Sequence, residues 1–326
     1  MSVLITGGAG YLGGHLALAL AARQDAIVLV DRNAAIHDLK SKCSAAAYHA
    51  ELAADELLPT LIDRHDVDVL VHLADSPGGP IHSSAGAARS IANAATTRSV
   101  VERCIQAGVR EIVYCSSSAV YGNGDGSPIR ATDRLDPISQ YGRCKAETEL
   151  MLKQLAQGGG ARVCCIRFFN IAGADAGGRW GPSIRQSGQL LPQACRAALG
   201  SGDSVNIFGV DHPTTDGTCV RDFVHVQDAA GALVLAIDAL KGGAPSATYN
   251  CGAGQGVSVR EVVREVERFS GLPVPVREMP RRPGELSVAV ADPADTVRDL
   301  GWVPCHSSLE NIVSSAFEWE AAATSS

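Results

Sequence analysis

The chain has 326 residues, 46% of them apolar, and a formal charge of −7 without a block of like charges. That length buries a substantial core, one large domain or two moderate ones, and the dispersed acidic balance argues against a nucleic-acid surface. No apolar run reaches ~18 residues and Met1 leads straight into strand-like Ser2-Val3-Leu4-Ile5, so a cytoplasmic protein with no membrane span and no secretory leader is expected.

From the N-terminus, strands are predicted over 3–6, 27–31, 67–73, 111–116 and 163–168. Helices are predicted between them over 11–23, 55–65, 86–107 and 140–157. This alternation predicts an α/β fold built on a parallel, doubly wound sheet. Gly158-Gly159-Gly160 supplies the stop for the last helix. Beyond about residue 170 glycine and proline become more frequent and the elements shorter, so a smaller α/β domain is expected over 170–326, after a first domain over 1–169. Segments near 219–252 are expected to return to the first domain, and the tail over 321–326 reads as frayed. The ten cysteines show no Cys-x-x-Cys pair and no Cys/His cluster at zinc spacing, which predicts reduced, mostly buried thiols and no metal.

Thr6-Gly7-Gly8-Ala9-Gly10-Tyr11-Leu12-Gly13 lies between the first predicted strand and helix, the setting a dinucleotide fingerprint requires. Glycines there allow a tight turn and bring backbone N–H groups close to a pyrophosphate at the positive end of a helix. Such turns also merely connect a strand to a helix. Asp31, 18 residues past Gly13, ends the second strand, where a carboxylate accepts ribose hydroxyls and repels a 2′-phosphate. NAD is therefore expected rather than NADP, although the adjacent Arg32 is a residue able to receive a phosphate.

Tyr141-Gly142-Arg143-Cys144-Lys145 follows Ser117 by 24 residues. Positions i and i+4 share a helix face, so the Lys145 ammonium can sit beneath the Tyr141 ring and favour its phenolate. With Ser117 as a hydroxyl partner, the set suits oxidation of an alcohol, with Tyr141 as the base. Alone, a Tyr-x-x-x-Lys string is also an ordinary amphipathic helix.

With these residues assembled, the chain resembles the extended short-chain dehydrogenase/reductases, most closely the UDP-glucose 4-epimerase family, from about residue 2 to about residue 318. The most specific likeness is the run from Phe208 to Val226, FGVDHPTTDGTCVRDFVHV, with Arg167-Phe168-Phe169-Asn170 and Arg281-Arg282-Pro283-Gly284-Glu285 similar to family segments that line the nucleotide-sugar site. The resemblance implies a Rossmann domain, NAD, a UDP-sugar substrate, and C4 epimerisation through a transient 4-keto sugar. By position it implies that Ser117 shares a hydrogen bond with the sugar 4-oxygen, that Tyr141 is the acid/base, and that Lys145 holds the nicotinamide ribose. Gly7, Gly10, Tyr11, Leu12, Gly13, Asp31, Arg32, Glu51, Leu52, Leu73, Ala74, Asn93 and Phe168 fall at cofactor positions. Asn170, Gln189, Leu190, Phe208, Arg221, Phe223, Arg282, Glu285 and Ala289 fall at substrate positions. Guanidinium groups such as Arg221 and Arg282 match pyrophosphate oxygens. Relatives commonly pair through a helix bundle built from the regions matching 86–107 and 140–157, so a homodimer is expected.

Departures from the family are visible. Asp75-Ser76-Pro77-Gly78-Gly79-Pro80 replaces a stretch that usually carries Gly and a Lys reaching toward the cofactor. Phe168 and Phe223 stand where Tyr is common, and Gln189 replaces an Asn. The small Ala289 leaves room for an N-acetyl group, so UDP-N-acetylglucosamine joins the expected substrates. Ser118 and Ala119 occupy the sites where dehydratases and decarboxylases of the superfamily place an acidic residue. An epimerase of a UDP-uronate or pentose nucleotide, or a non-catalytic NAD(H)-binding regulator, remain the alternatives.

Overall fold

The computed structural model describes the chain apart from residues 53–55, 76–83, 123–127, 184–188, 283 and 325–326. In chain order come β1 (Ser2–Thr6), α1 (Tyr11–Ala22), β2 (Ala26–Asp31), α2 (Ile36–Cys43), β3 (Ala46–His49), α3 (Leu57–His65), β4 (Val69–His72), α4 (Ser84–Gln106), β5 (Glu111–Ser117), α5 (Gln140–Gln157) and β6 (Arg162–Phe168). There follow β7 (Asn170–Ala172), α6 (Leu190–Ala198), β8 (Val205–Phe208), β9 (Val220–His225), α7 (Val226–Lys241), β10 (Ala247–Cys251), β11 (Gly256–Ser258), α8 (Val259–Ser270), β12 (Val276–Met279), β13 (Val288–Ala289), α9 (Ala294–Leu300) and α10 (Leu309–Thr324).

Seven strands form one sheet in the order β10-β6-β5-β4-β1-β2-β3, every pairing parallel. The order reverses between β1 and β4, so the connections from these two strands leave in opposite directions and open a crevice at their carboxyl ends. One face of the sheet is covered by a core containing Leu16, Leu20, Leu233 and Ile237 from α1 and α7. The other is covered by Leu61, Val100, Val101 and Leu152 from α3, α4 and α5. Both faces are thus apolar, which explains why Val3, Leu4 and Ile5 run on without polar alternation. A third cluster, with Leu191, Cys195, Val262, Val266 and Val313, joins α6, α8 and α10 beside the sheet.

The predicted strands and helices are all present with shifted ends. Asp55, where the second helix was expected to begin, lies outside the described residues. Within residues 1–169 two numbered elements escape the periodicity reading, α2 and β3, and beyond residue 170 most of the short elements are not predicted individually. β3 is a four-residue edge strand of Ala-Ala-Tyr-His whose residues are half-buried or exposed, too short and too poor in β-branched residues to announce itself. The tail is a correction: α10 continues through Thr324, with Glu320 buried against Arg196 at 3.0 Å. All ten cysteines are free, and only Cys305 is exposed. No described helix is long and apolar enough to cross a membrane.

A buried ion pair ties α5 to the sheet. The Arg167 guanidinium donates to Glu149 Oε2 at 2.6 Å, to Tyr121 Oη at 2.7 Å and to the Ala131 carbonyl at 2.8 Å, while Ser116 Oγ donates to Glu149. Removing one partner of such a pair strands the other in low dielectric. Glu149→Ala is therefore expected to lower the unfolding free energy by about 3–5 kcal/mol. Chemical denaturation followed by far-UV circular dichroism checks this, and an unchanged midpoint would contradict it.

Candidate active site

The glycine loop is shaped by backbone contact. Gly7 adopts φ +76°, and a Cβ there would lie 2.6 Å from the Ala74 nitrogen. A Cβ on Gly13 would lie 2.3 Å from the Gly7 carbonyl oxygen. These absent side chains let the β1–α1 loop, the start of α1 and the chain leaving β4 meet at the switch point. Gly10 is the extended N-cap of α1, makes no side-chain cap, and no acidic residue lies in the first turn. The N–H groups at this helix end therefore suit a pyrophosphate. Asp31 holds the same loop, accepting from the Ala9 N–H at 3.0 Å and the Asn33 N–H at 2.8 Å. Burial raises its carboxyl pKa and these N–H donors pull it back. Arg32 beside it is exposed. The Ala50 N–H donates to the Asp31 carbonyl at 2.9 Å, which brings Glu51 and Leu52 to the same end of the sheet, Glu51 exposed and Leu52 half-buried. The residues present fit a dinucleotide with free ribose hydroxyls.

Tyr141 and Lys145 project from the first turns of α5 into a cleft that Ala74, Asn93, Thr97 and Tyr114 also line. Ser139 caps the helix, its Oγ accepting the Gly142 N–H at 3.0 Å. A Cβ on Gly142 would fall 2.0 Å from the Ala119 carbonyl oxygen, so this glycine allows α5 to rest on the turn that follows Ser117. Ser117 is half-buried and its Oγ accepts the Ala119 N–H at 3.2 Å. Lys145 Nζ donates to the Cys115 carbonyl at 2.8 Å, sits 5.7 Å from the Tyr141 ring centroid and 4.9 Å from that of Tyr114, and lies 3.1 Å from Asp75 Oδ2. No hydrogen-bond partner for the Tyr141 hydroxyl occurs among the described residues, as an acid/base awaiting a ligand requires.

The electrostatics correct one expectation. Burial pushes the Tyr141 phenol up, Lys145 pulls it down and Asp75 pushes it up again, so the net shift is upward, not downward. Burial also opposes the Lys145 charge, yet Tyr114, Tyr141, Asp75 and Cys115 together hold its pKa well above the usual lysine value. At neutral pH the phenols and thiol are uncharged, so the counter-charge comes from Asp75. Beneath them His72, its pKa pushed down to about 3 by burial with Lys145 adding to the shift, is neutral, bridging Thr6 Oγ1 at 2.7 Å and Thr97 Oγ1 at 2.9 Å.

The residues expected at the substrate end gather less tightly. Arg221, on β9, lies 3.5 Å from Glu285, and Ala289 on β13 pairs with it in register. The exposed Arg282 stacks its guanidinium 3.7 Å from the Phe208 ring centroid. Asn170 is exposed at the start of β7, Gln189 is the exposed N-cap of α6, and Leu190 begins that helix half-buried. Phe168 and Phe223 are buried core members, so the hydroxyls they lack are lost from packed interior. Arg167, from the segment whose resemblance to the family was noted, spends its charge on Glu149 and Tyr121 inside the protein. The altered stretch 76–80 and Pro283 lie outside the described residues.

Comparison with known proteins agrees with this geometry. Residues 3–252 match the NAD dependent epimerase/dehydratase family. A UDP-glucose 4-epimerase of Azospirillum brasilense is 40% identical over 98% of this chain and 91% of its own. Among solved structures, the UDP-glucose-4-epimerase of Stenotrophomonas maltophila with bound NAD and formylated UDP-arabinopyranose superposes with TM-score 0.94 at 33% identity, covering 100% of this chain and 99% of that one. The UDP-Glc/GlcNAc 4-epimerase of Campylobacter jejuni gives TM-score 0.83 at 33% identity, covering 98% and 99% of the two chains. A family match across more than half of the chain, joined to that near full-length identity, makes this protein a member of the NAD dependent epimerase/dehydratase family.

Proposed function

We propose that the protein interconverts UDP-glucose and UDP-galactose by inverting C4, with NAD as its cofactor. The observation that carries this reading is Tyr141, on the same helix face as a Lys145 pinned to β5, opening on the switch-point crevice with no partner for its hydroxyl among the described residues. When bound, NAD supplies the two-electron acceptor and donor that lets the C4 centre be flattened to a ketone and rebuilt. Tyr141 takes the proton of the 4-hydroxyl and later returns it, Ser117 hydrogen-bonds the same oxygen, and Lys145 steadies the phenolate. Arg221 and Arg282 hold the pyrophosphate in planar forks, so that only the hexose turns to present its other face. Residues 1–169, with returns near 219–252, carry the cofactor, and residues 170–326 mainly carry the nucleotide sugar.

The small Ala289, buried beside Arg221, supports acceptance of the N-acetyl sugars as well. A homodimer is supported by Ile91 on α4 and Leu150 on α5, each 57% exposed on neighbouring helices. Cytoplasmic galactose metabolism is the setting this activity fits.

Incubation with UDP-galactose, UDP-N-acetylgalactosamine and UDP-glucuronate separately, without reductant, followed by chromatography, is expected to yield C4 epimers from the first two. Conversion of UDP-glucuronate alone would favour the uronate reading, and no conversion a cofactor-binding regulator. Tyr141→Phe is expected to cut turnover by ~100-fold or more by removing the proton carrier; an unchanged rate would reject its role. Ala289→Tyr is expected to suppress turnover of the N-acetyl sugar while sparing the hexose, and equal N-acetyl rates in both proteins would count against the size argument. Light scattering should report a dimer that Leu150→Lys shifts toward monomer.

A further inference from the structure

Asp75 is a carboxylate in the cofactor cleft for which the epimerisation chemistry has no assigned use. It stands one residue beyond Ala74, whose backbone nitrogen is the contact that only a glycine at position 7 allows, so it lies where the glycine loop and the carboxyl end of β4 meet. Its Oδ2 is 3.1 Å from Lys145 Nζ, and its Oδ1 accepts a hydrogen bond from the Asn93 amide. The pair is well enclosed, with side-chain exposures of 11% for Lys145 and 19% for Asp75.

Among the described residues, the groups facing this pair are few. They are His72 on β4, Tyr114 and Cys115 on β5, Tyr141 and Cys144 on α5, and the uncharged Asn93 and Thr97 on α4. Burial fixes His72 in its neutral form and pushes the Tyr114 phenol up to about 12 and the Cys115 thiol up to about 11. Among the described residues of the cleft, then, the formal charges near neutral pH are Lys145 and Asp75, and they sum to zero.

We propose that Asp75 is a positioning residue that masks the Lys145 charge, so that the cleft favours the oxidised, cationic nicotinamide over its neutral reduced form and delays ionisation of Tyr141. The inference rests on the NAD-dependent reading above. An unmasked ammonium repels the nicotinamide cation and attracts the phenolate, and a carboxylate 3.1 Å from it offsets part of both effects. The sign for pH follows. A negative neighbour disfavours phenolate, so removing the charge lowers the phenol pKa and the proton-accepting form appears at lower pH.

The test is Asp75→Asn, which keeps the shape and the polar contact, with Asp75→Glu restoring the charge. The holoenzyme's cofactor is titrated with redox dyes and its reduction read at 340 nm, a readout independent of turnover. In Asp75→Asn the oxidised form is expected to lose about tenfold in preference, a midpoint about 30 mV more positive. The rising limb of the kcat/KM profile is expected to move to lower pH. Asp75→Glu is expected to sit near wild type in both. An Asn variant with unmoved midpoint and unmoved profile overturns the proposal, as does a Glu variant that shifts as far as Asn, which would assign the effect to shape. If wild type binds NAD but converts no UDP-sugar, the epimerase reading fails while the midpoint still decides the role of Asp75.

Discussion

The constraint on which this site depends is that a buried ammonium must be accompanied. Lys145 is nearly enclosed, and a desolvated cation there is tolerable only because a carbonyl and a carboxylate surround it. Those partners come from different parts of the chain. The Cys115 carbonyl is at the end of β5, Asp75 follows β4, and Lys145 itself is on α5. Satisfying one charge therefore sets the spacing of three elements around the crevice, and Tyr141, one turn away, is positioned as a by-product.

Two further contacts prevent α5 from drifting. At its start Gly142 lies against the Ala119 carbonyl, a distance no side chain permits, and two turns on Glu149 reaches Ser116 and Arg167. The Ala119 and Ser116 contacts fall within two residues of Ser117. The hydroxyl and the phenol are thus referenced to the same short stretch of β5 and its turn, which is how a site gains precision from rigid elements rather than from loops. The cofactor side follows the same logic, with Asp31 spending its carboxylate on the Ala9 and Asn33 amides so that loop and second strand move as one.

The alternation of apolar runs with amphipathic stretches was enough to read the parallel sheet, because strands covered on both faces leave long unbroken apolar signals such as Val3 to Ile5. The glycine loop was legible for a similar reason, since its composition is dictated by backbone crowding. What escaped was whatever depends on partners far away in sequence. Arg167 carries no visible role in the sequence until the fold supplies Glu149. Asp75 reads as a departure in a loop until Lys145 comes within an ion pair's reach. The net upward push on Tyr141 could not be inferred either, because spacing reveals the neighbouring lysine but not the burial that outweighs it. Gly142 did carry a signal, a small residue inside a helix at its capped start, where propensity alone would choose otherwise.

The strand that completes the sheet on one side, β10, comes from residues 247–251 and pairs with β6 from Cys164 to Phe168. During synthesis, the row of amides and carbonyls on β6 consequently stays open until most of the polypeptide has left the ribosome. A nascent chain halted anywhere short of Cys251 leaves that border of the sheet without its partner strand, so the threading of this fold makes the sheet's last-synthesised strand the one that seals the edge.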